Sequence, residues 1–277
     1  MSTSEPGDGE AADTFVVTKE HRRFEEFCEA CRRDRYIGLC YGPPGVGKTL
    51  SARRYARWDL VGVPNPLFHP RPVVPPELAG CRVTFLTAGV VNTPKLVERA
   101  LKESLAALHF AVELALDDRS ELGDADHPRR YPGYCELVLV DEADRLGTPG
   151  LEQLRAHYDE LGVGLVLVGM PGLEKRLARY PQLYSRVGFA HAFQPLGREE
   201  LRFVLERHWA RLGGALRADD FTDQEAVAAV VRITGGNFRL LNRLLAQVER
   251  IKRLNGLSTV TREVVEAARE CLVIGTA

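Results

Sequence analysis

Eight consecutive residues, Gly42-Pro43-Pro44-Gly45-Val46-Gly47-Lys48-Thr49, carry the pattern G-x-x-x-x-G-K-[ST] in full. Glycines let backbone N–H groups turn inward around phosphate oxygens, and the N-terminus of a following helix adds partial positive charge on the same side. Lys48 has the length to reach β- and γ-phosphates, and the Thr49 hydroxyl can ligand Mg²⁺. Leu50 opens the helix that leaves the loop and belongs to the same cradle. A glycine-rich turn that merely precedes a helix fits part of this pattern. It does not account for the strand, the Lys and the Thr together.

A second stretch, Glu136-Leu137-Val138-Leu139-Val140-Asp141-Glu142, ends in two adjacent carboxylates. Four successive apolar β-formers predict a central parallel strand buried on both faces. Ligands of open parallel sheets sit at the carboxyl ends of the strands. Asp141 is therefore expected to face the Mg²⁺ held by Thr49, and Glu142 to orient and activate an attacking water. A helix N-cap pair is the alternative for an Asp-Glu step after a strand.

The surrounding pattern must position these groups. Residues 1–14 form a Gly/Ser/Glu/Asp-rich tail, predicted disordered. Thr18 caps a predicted helix to Arg33 with Phe24, Phe27, Cys28 and Cys31 on its apolar face. Its other face carries Arg22, Arg23, Arg32 and Arg33, a solvated face or a contact with phosphate or a neighbouring subunit. Tyr36–Tyr41 reads as a strand into the phosphate loop and Leu50–Trp58 as the helix leaving it. Val63–Gly80, with six prolines, is a loop. A strand is expected over Cys81–Thr87. A helix follows from Thr93 (cap) and Pro94, with Leu96, Ala100, Leu101, Leu105, Leu108 and Val112 inward. Asp117–Pro132 is a second loop. Helix 150–161, strand 164–169, a helix with Leu173, Leu177 and Tyr180, and a strand over Phe189–Phe193 complete five strands alternating with helices. That predicts an α/β doubly wound parallel five-stranded sheet. From Gly197 no strand pattern remains. Helices at about 198–212, 222–234, 237–254 and 261–272 are expected, with Asp223 and Thr261 as caps and breaks at Gly213-Gly214 and Gly235-Gly236. The domain reading is a tail over 1–14, a nucleotide-binding α/β domain over 15–196 and a small all-helical lid over 197–277.

The 277 residues suffice for one large α/β domain and a small appended one. Net charge is −1, so no global field draws the chain to nucleic acid or membrane, although arginine clusters leave room for a local basic surface. No apolar run is long enough to span a bilayer, and the acidic N-terminus is the opposite of a secretory signal; a cytoplasmic protein is expected. Of six cysteines, Cys40 and Cys135 are expected to be buried reduced thiols. Cys28-x-x-Cys31 lacks a second ligand pair for zinc and reads as two thiols on a helix.

A sheet domain with these two motifs, followed by a helical lid, resembles the AAA+ ATPases, P-loop NTPases, over nearly everything after residue 15. The resemblance implies ATP and Mg²⁺. Ser185-Arg186-Val187 is similar to the arginine-finger segment of that family, so Arg186 would reach the γ-phosphate bound in a neighbouring subunit. Gly236-Asn237-Phe238-Arg239 is similar to its sensor-2 motif, so Arg239 would read the γ-phosphate from the lid. The family puts a polar residue after its fourth strand, where this chain has Gly169-Met170-Pro171; that departure points to slow or partner-stimulated hydrolysis. Residues Tyr36–Thr49 and Leu167–Leu173 resemble more finely the TniB, TnsC and MuB group of transposition ATPases. This implies a homo-oligomer, ring or filament, on double-stranded DNA with a transposase or integrase as partner and no membrane. Arg99, Lys102, Arg119, Arg129 and Arg130 are the phosphate-contact candidates, equally readable as solvated surface. The alternatives are a remodelling or regulatory ATPase not acting on DNA, a nucleotide-binding scaffold, and ExeA-type or origin-initiator ATPases, to which Gly169–Leu173 is also similar. No hydrophobic-aromatic pore loop stands out in favour of remodelling.

Overall fold

A computed structural model describes residues 15–61, 75–117, 133–211, 216–217 and 219–272. The predicted tail, most of both loops, Arg119, Arg129, Arg130 and Gly213-Gly214 lie outside them. Helix α1 (Lys19–Asp34) leads into β1 (Ile37–Tyr41), α2 (Lys48–Tyr55) and the short α3 (Trp58–Val61). Then come β2 (Val83–Thr87), α4 (Pro94–Asp117), β3 (Leu137–Asp141), α5 (Thr148–Leu161), β4 (Gly164–Gly169), the short α6 (Leu173–Leu177) and α7 (Pro181–Tyr184), and β5 (Val187–Ala192). Helices α8 (Arg198–Arg211), α9 (Phe221–Thr234), α10 (Phe238–Asn255) and α11 (Arg262–Glu270) finish the chain.

The five strands are all parallel, in the order β2-β3-β4-β1-β5. The period-2 alternation of strand side chains divides the core between two faces. Ile37, Leu39, Val138, Val140, Leu165 and Leu167 pack with α4, α5 and α6. Cys40, Leu137, Leu139, Val166 and Val168 pack with α1 and α2. Both faces of β3 and β4 are buried, which explains their uninterrupted apolar sequence; each such side chain contributes about 1.5–3 kcal/mol. Helices α8–α11 hold a separate apolar cluster built on Leu201, Val204, Trp209, Leu241, Leu244 and Val265. Among the described residues, no helix is long and apolar enough to cross a membrane.

Several boundaries differ from expectation. The second strand begins at Val83 rather than Cys81, and the last spans Val187–Ala192 rather than Phe189–Phe193. The helix expected to carry Leu173, Leu177 and Tyr180 ends at Leu177; Tyr180 lies outside it, at the cap position of a second short helix that Pro181 starts. Leu96 is exposed, and Val97 takes its place in the core. Thr18, Thr93 and Thr261 cap as expected. Asp223 does not cap: Asp220 accepts from the N–H groups of Thr222 and Asp223, while the Asp223 carboxylate accepts from Trp209 Nε1 and Arg217 N. The Cys28 and Cys31 thiols are buried and free, with burial pushing Cys31 up to about 12.

Candidate phosphate site

The parallel register brings Tyr41, Thr87, Asp141 and Gly169 to the same end of the sheet. β4 lies between β1 and β3, so the loop after β1 stands two strand spacings, about 10 Å, from the acids at the end of β3. That gap opens into a cavity of about 610 Å³. It is lined by the loop from Pro44 to Leu50 (Val46 excepted) and by Thr87, Asp141, Glu142, Asp144 and Met170, with Arg239 and Arg243 on its α10 side.

The loop follows from its residue types. Gly45 has φ +80° and Gly47 φ +110°, so the backbone enters α2 through conformations that L side chains resist. A Cβ at Gly45 would also lie 2.6 Å from Asn237 Oδ1. The first-turn amides of α2 have no intrahelical acceptor and are free for an anion. Lys48 is 8% exposed, and its ammonium donates to the carbonyls of Gly42 (2.6 Å) and Pro43 (2.7 Å). Burial lowers its pKa, against the opposing fields of Cys40, Asp141, Asp144 and Glu142. A phosphate entering here would give this buried cation a directly bonded anion, which none of the described side chains does.

Asp141 is 4% exposed, and no described residue hydrogen-bonds its carboxylate. A buried carboxylate without a partner calls for a cation. With the Thr49 hydroxyl on the same cavity, the donors are hard oxygens, which suits Mg²⁺. Glu142 sits at φ +55°, a left-handed conformation that costs a non-glycine residue about 1–2 kcal/mol and is typical of constrained functional sites. Its carboxylate faces Arg145 at 3.6 Å, and Arg145 Nη1 also donates to Ala88 O. Glu142 stands at the N-cap position of the short 143–145 turn, but its side chain makes no cap hydrogen bond to any described residue.

The C-terminal helices touch the loop directly. Asn237 Oδ1 accepts from Leu240 N and caps α10, while its Nδ2 donates to Pro44 O at 2.7 Å. Arg239 N donates to Gly45 O at 2.9 Å. Asn237→Ala removes a cap and a cross-contact, together about 2 kcal/mol, and is expected to lower the thermal midpoint by about 4–8 °C. A melting curve with and without nucleotide reads this. A second cavity, about 730 Å³, adjoins the first through Gly47, Leu50, Phe238 and Asn242. Phe15, Val16, Val46, Phe193 and Leu196 give it apolar walls fit for a nucleoside base.

The AAA domain family matches residues 31–177, more than half of the chain. The chain belongs to the AAA domain family. A "potential ATP-binding protein" of Staphylococcus aureus is 43% identical over 271 residues, covering 94% of this chain and 97% of that one. The Mu-like prophage FluMu DNA transposition protein B of Haemophilus influenzae is 26% identical over 88% of this chain and 75% of its own length. The ATP-dependent target DNA activator B of Escherichia phage Mu is 30% identical over 73% of this chain and 63% of its own. Among solved structures, the Thermotoga maritima RuvB Holliday junction branch migration motor has the same fold, with a TM-score of 0.56 at 17% identity over 94% of this chain and 71% of that one.

Gly45, Gly47, Lys48, Thr49, Asp141 and Glu142, all within the AAA domain, line one cavity, and Arg239, from α10 outside that domain, lines it as well. Arg186 is elsewhere: its guanidinium grips Asp159 at 2.8 and 3.0 Å. Arg99 and Lys102 are tied to Glu103 and Glu98 one helical turn away. Asp144, Asn242 and Arg243 escaped the sequence reading. The signals were present: Asp144 stands three residues after Asp141, and Arg243 one helical turn after Arg239.

Proposed function

We propose that this AAA protein binds and hydrolyses ATP, assembles as an oligomer on double-stranded DNA in its ATP state, and governs target selection and transposase activation in DNA transposition. We read 15–196 as the nucleotide-binding domain and 197–277 as its lid. The likeness over 88% of the chain to a DNA transposition protein B carries the transposition part of this reading. The cavity that joins Lys48, Asp141 and Glu142 to Arg239 supports the ATP part.

The triphosphate lies along the 42–49 loop, with Lys48 turning from the Gly42 and Pro43 carbonyls to the β- and γ-phosphates. Thr49 and Asp141 would hold Mg²⁺, which supplies charge neutralisation at the phosphates. Glu142 exchanges Arg145 for the attacking water and takes its proton. Arg239 faces the γ-phosphate from α10. Arg186 serves a neighbouring subunit's nucleotide by exchanging Asp159 for the γ-phosphate, so that loss of this phosphate loosens the oligomer.

The test is the ATPase rate with and without duplex DNA, together with retention on duplex DNA under a nonhydrolysable ATP analogue. Stimulation is expected, as is retention that falls steeply with salt, since phosphate contacts release counterions. No retention at any salt removes the DNA part. A regulatory ATPase acting on a protein partner is the second reading. It is favoured by Val90 and Val91, strongly exposed in the loop after β2; a fast rate indifferent to DNA would select it.

A further inference from the structure

Strand β4 reaches the phosphate cavity at Gly169 and Met170. The Met170 thioether is at best a weak acceptor and cannot hold a water in place. Asp144 supplies polar oxygen at this point instead. Its Oδ1 accepts from Met170 N at 3.1 Å. Its own carbonyl accepts from Arg176 Nη1 at 2.6 Å, and Arg176 Nη2 reaches the carbonyls of Ala143 (3.2 Å) and Leu146 (2.7 Å). Arg176 thus clamps the whole 143–146 turn. Gly169 has no side chain for the same reason: a Cβ there would lie 2.8 Å from Asp144 Oδ1. Both the backbone and one carboxylate oxygen of Asp144 are held. Its Oδ2 makes no hydrogen bond to any described residue, and the side chain lines the cavity beside Glu142 and Lys48.

We propose that Asp144 is a second catalytic carboxylate, whose Oδ2 accepts one O–H of the attacking water while Glu142 accepts the other. The inference rests on the ATPase reading of this cavity. A water with one acceptor rotates about that bond; a second acceptor, on the firmly held Asp144, aims its lone pair at the γ-phosphorus. On attack, the water oxygen bonds to the γ-phosphorus, and the bond from that phosphorus to the β–γ bridging oxygen breaks. The electron pair leaves with ADP, and one proton passes to Glu142. The other stays on the new phosphate, next to Asp144. A carboxylate near a γ-phosphate opposes ground-state binding, so its contribution is confined to the chemical step.

Asp144→Asn separates the two carboxylate oxygens. The amide oxygen still accepts from Met170 N, and an NH₂ donor replaces the free acceptor. The expected result is a fall in kcat of about 10²-fold, with fluorescent ATP-analogue affinity unchanged or tighter and the thermal midpoint unchanged. Gly169→Ala is an independent measurement. It pushes Oδ1 aside while leaving all three carboxylates, and kcat should fall at retained affinity. Unchanged kcat in Asp144→Asn, or affinity lost in proportion to kcat, overturns the proposal. Lys48→Ala and Glu142→Gln run alongside. If they abolish turnover and Asp144→Asn does not, Asp144 alone is misassigned; if they too leave turnover intact, the nucleotide site falls and Asp144 with it.

Discussion

Lys48→Ala is expected to reduce ATP turnover by about 10²–10³-fold and to weaken nucleotide binding as well, because the ammonium stabilises phosphate charge in both ground and transition states. The side chain is buried and, among the described residues, bonded only to the Gly42 and Pro43 carbonyls, so its removal also leaves two carbonyl oxygens without their donor. That cost is structural, about 1–3 kcal/mol each if water cannot replace the lysine. The two effects separate on measurement. Calorimetric or fluorescent titration reads the affinity, and the melting curve without nucleotide reads the structural part. Binding and turnover at wild-type levels would mean that the triphosphate lies elsewhere.

Glu142→Gln is expected to behave in the opposite way towards binding. The amide keeps the size of the side chain and loses the base, so turnover falls by about 10²–10⁴-fold while ATP stays bound. It also removes the ion pair to Arg145, which is partly exposed on both sides and worth little. The variant should therefore fold normally and accumulate in its ATP state. Under the proposed function it stays on duplex DNA with ATP itself, without an analogue. Wild-type release from DNA in the presence of ATP would separate that part of the proposal from the chemistry.

The parts of the site that were legible in the sequence are those specified by local chemistry. The loop 42–49 needs its glycines, Lys and Thr within eight residues, and β3 needs an unbroken apolar run before its acids. Caps such as Thr18 and Thr261 were equally local. What long-range packing decides was not legible. Strand order is one such feature: nothing in Leu165–Gly169 says that it lies between β1 and β3. Asp144 is another, since its significance depends on Met170 and Arg176, 26 and 32 residues away. Asp223 was assigned as a cap from residue type, but Trp209 and Arg217, brought close by tertiary structure, claim its carboxylate instead. The Arg186–Asp159 pair likewise joins a strand start to a helix face that no spacing rule connects.

The two bonds that join α10 to the phosphate loop have a mechanical consequence. Asn237 and Arg239 grip Pro44 and Gly45 at the very start of a helix of 18 residues, a rod about 27 Å long. Were the loop to rotate that anchor by about 10° on binding a triphosphate, the far end at Asn255 would travel roughly 5 Å. Leu254, exposed near that tip, would travel with it. The loop would then act as the short arm of a lever whose long arm is α10, turning an event at the phosphate loop into displacement at the helix tip.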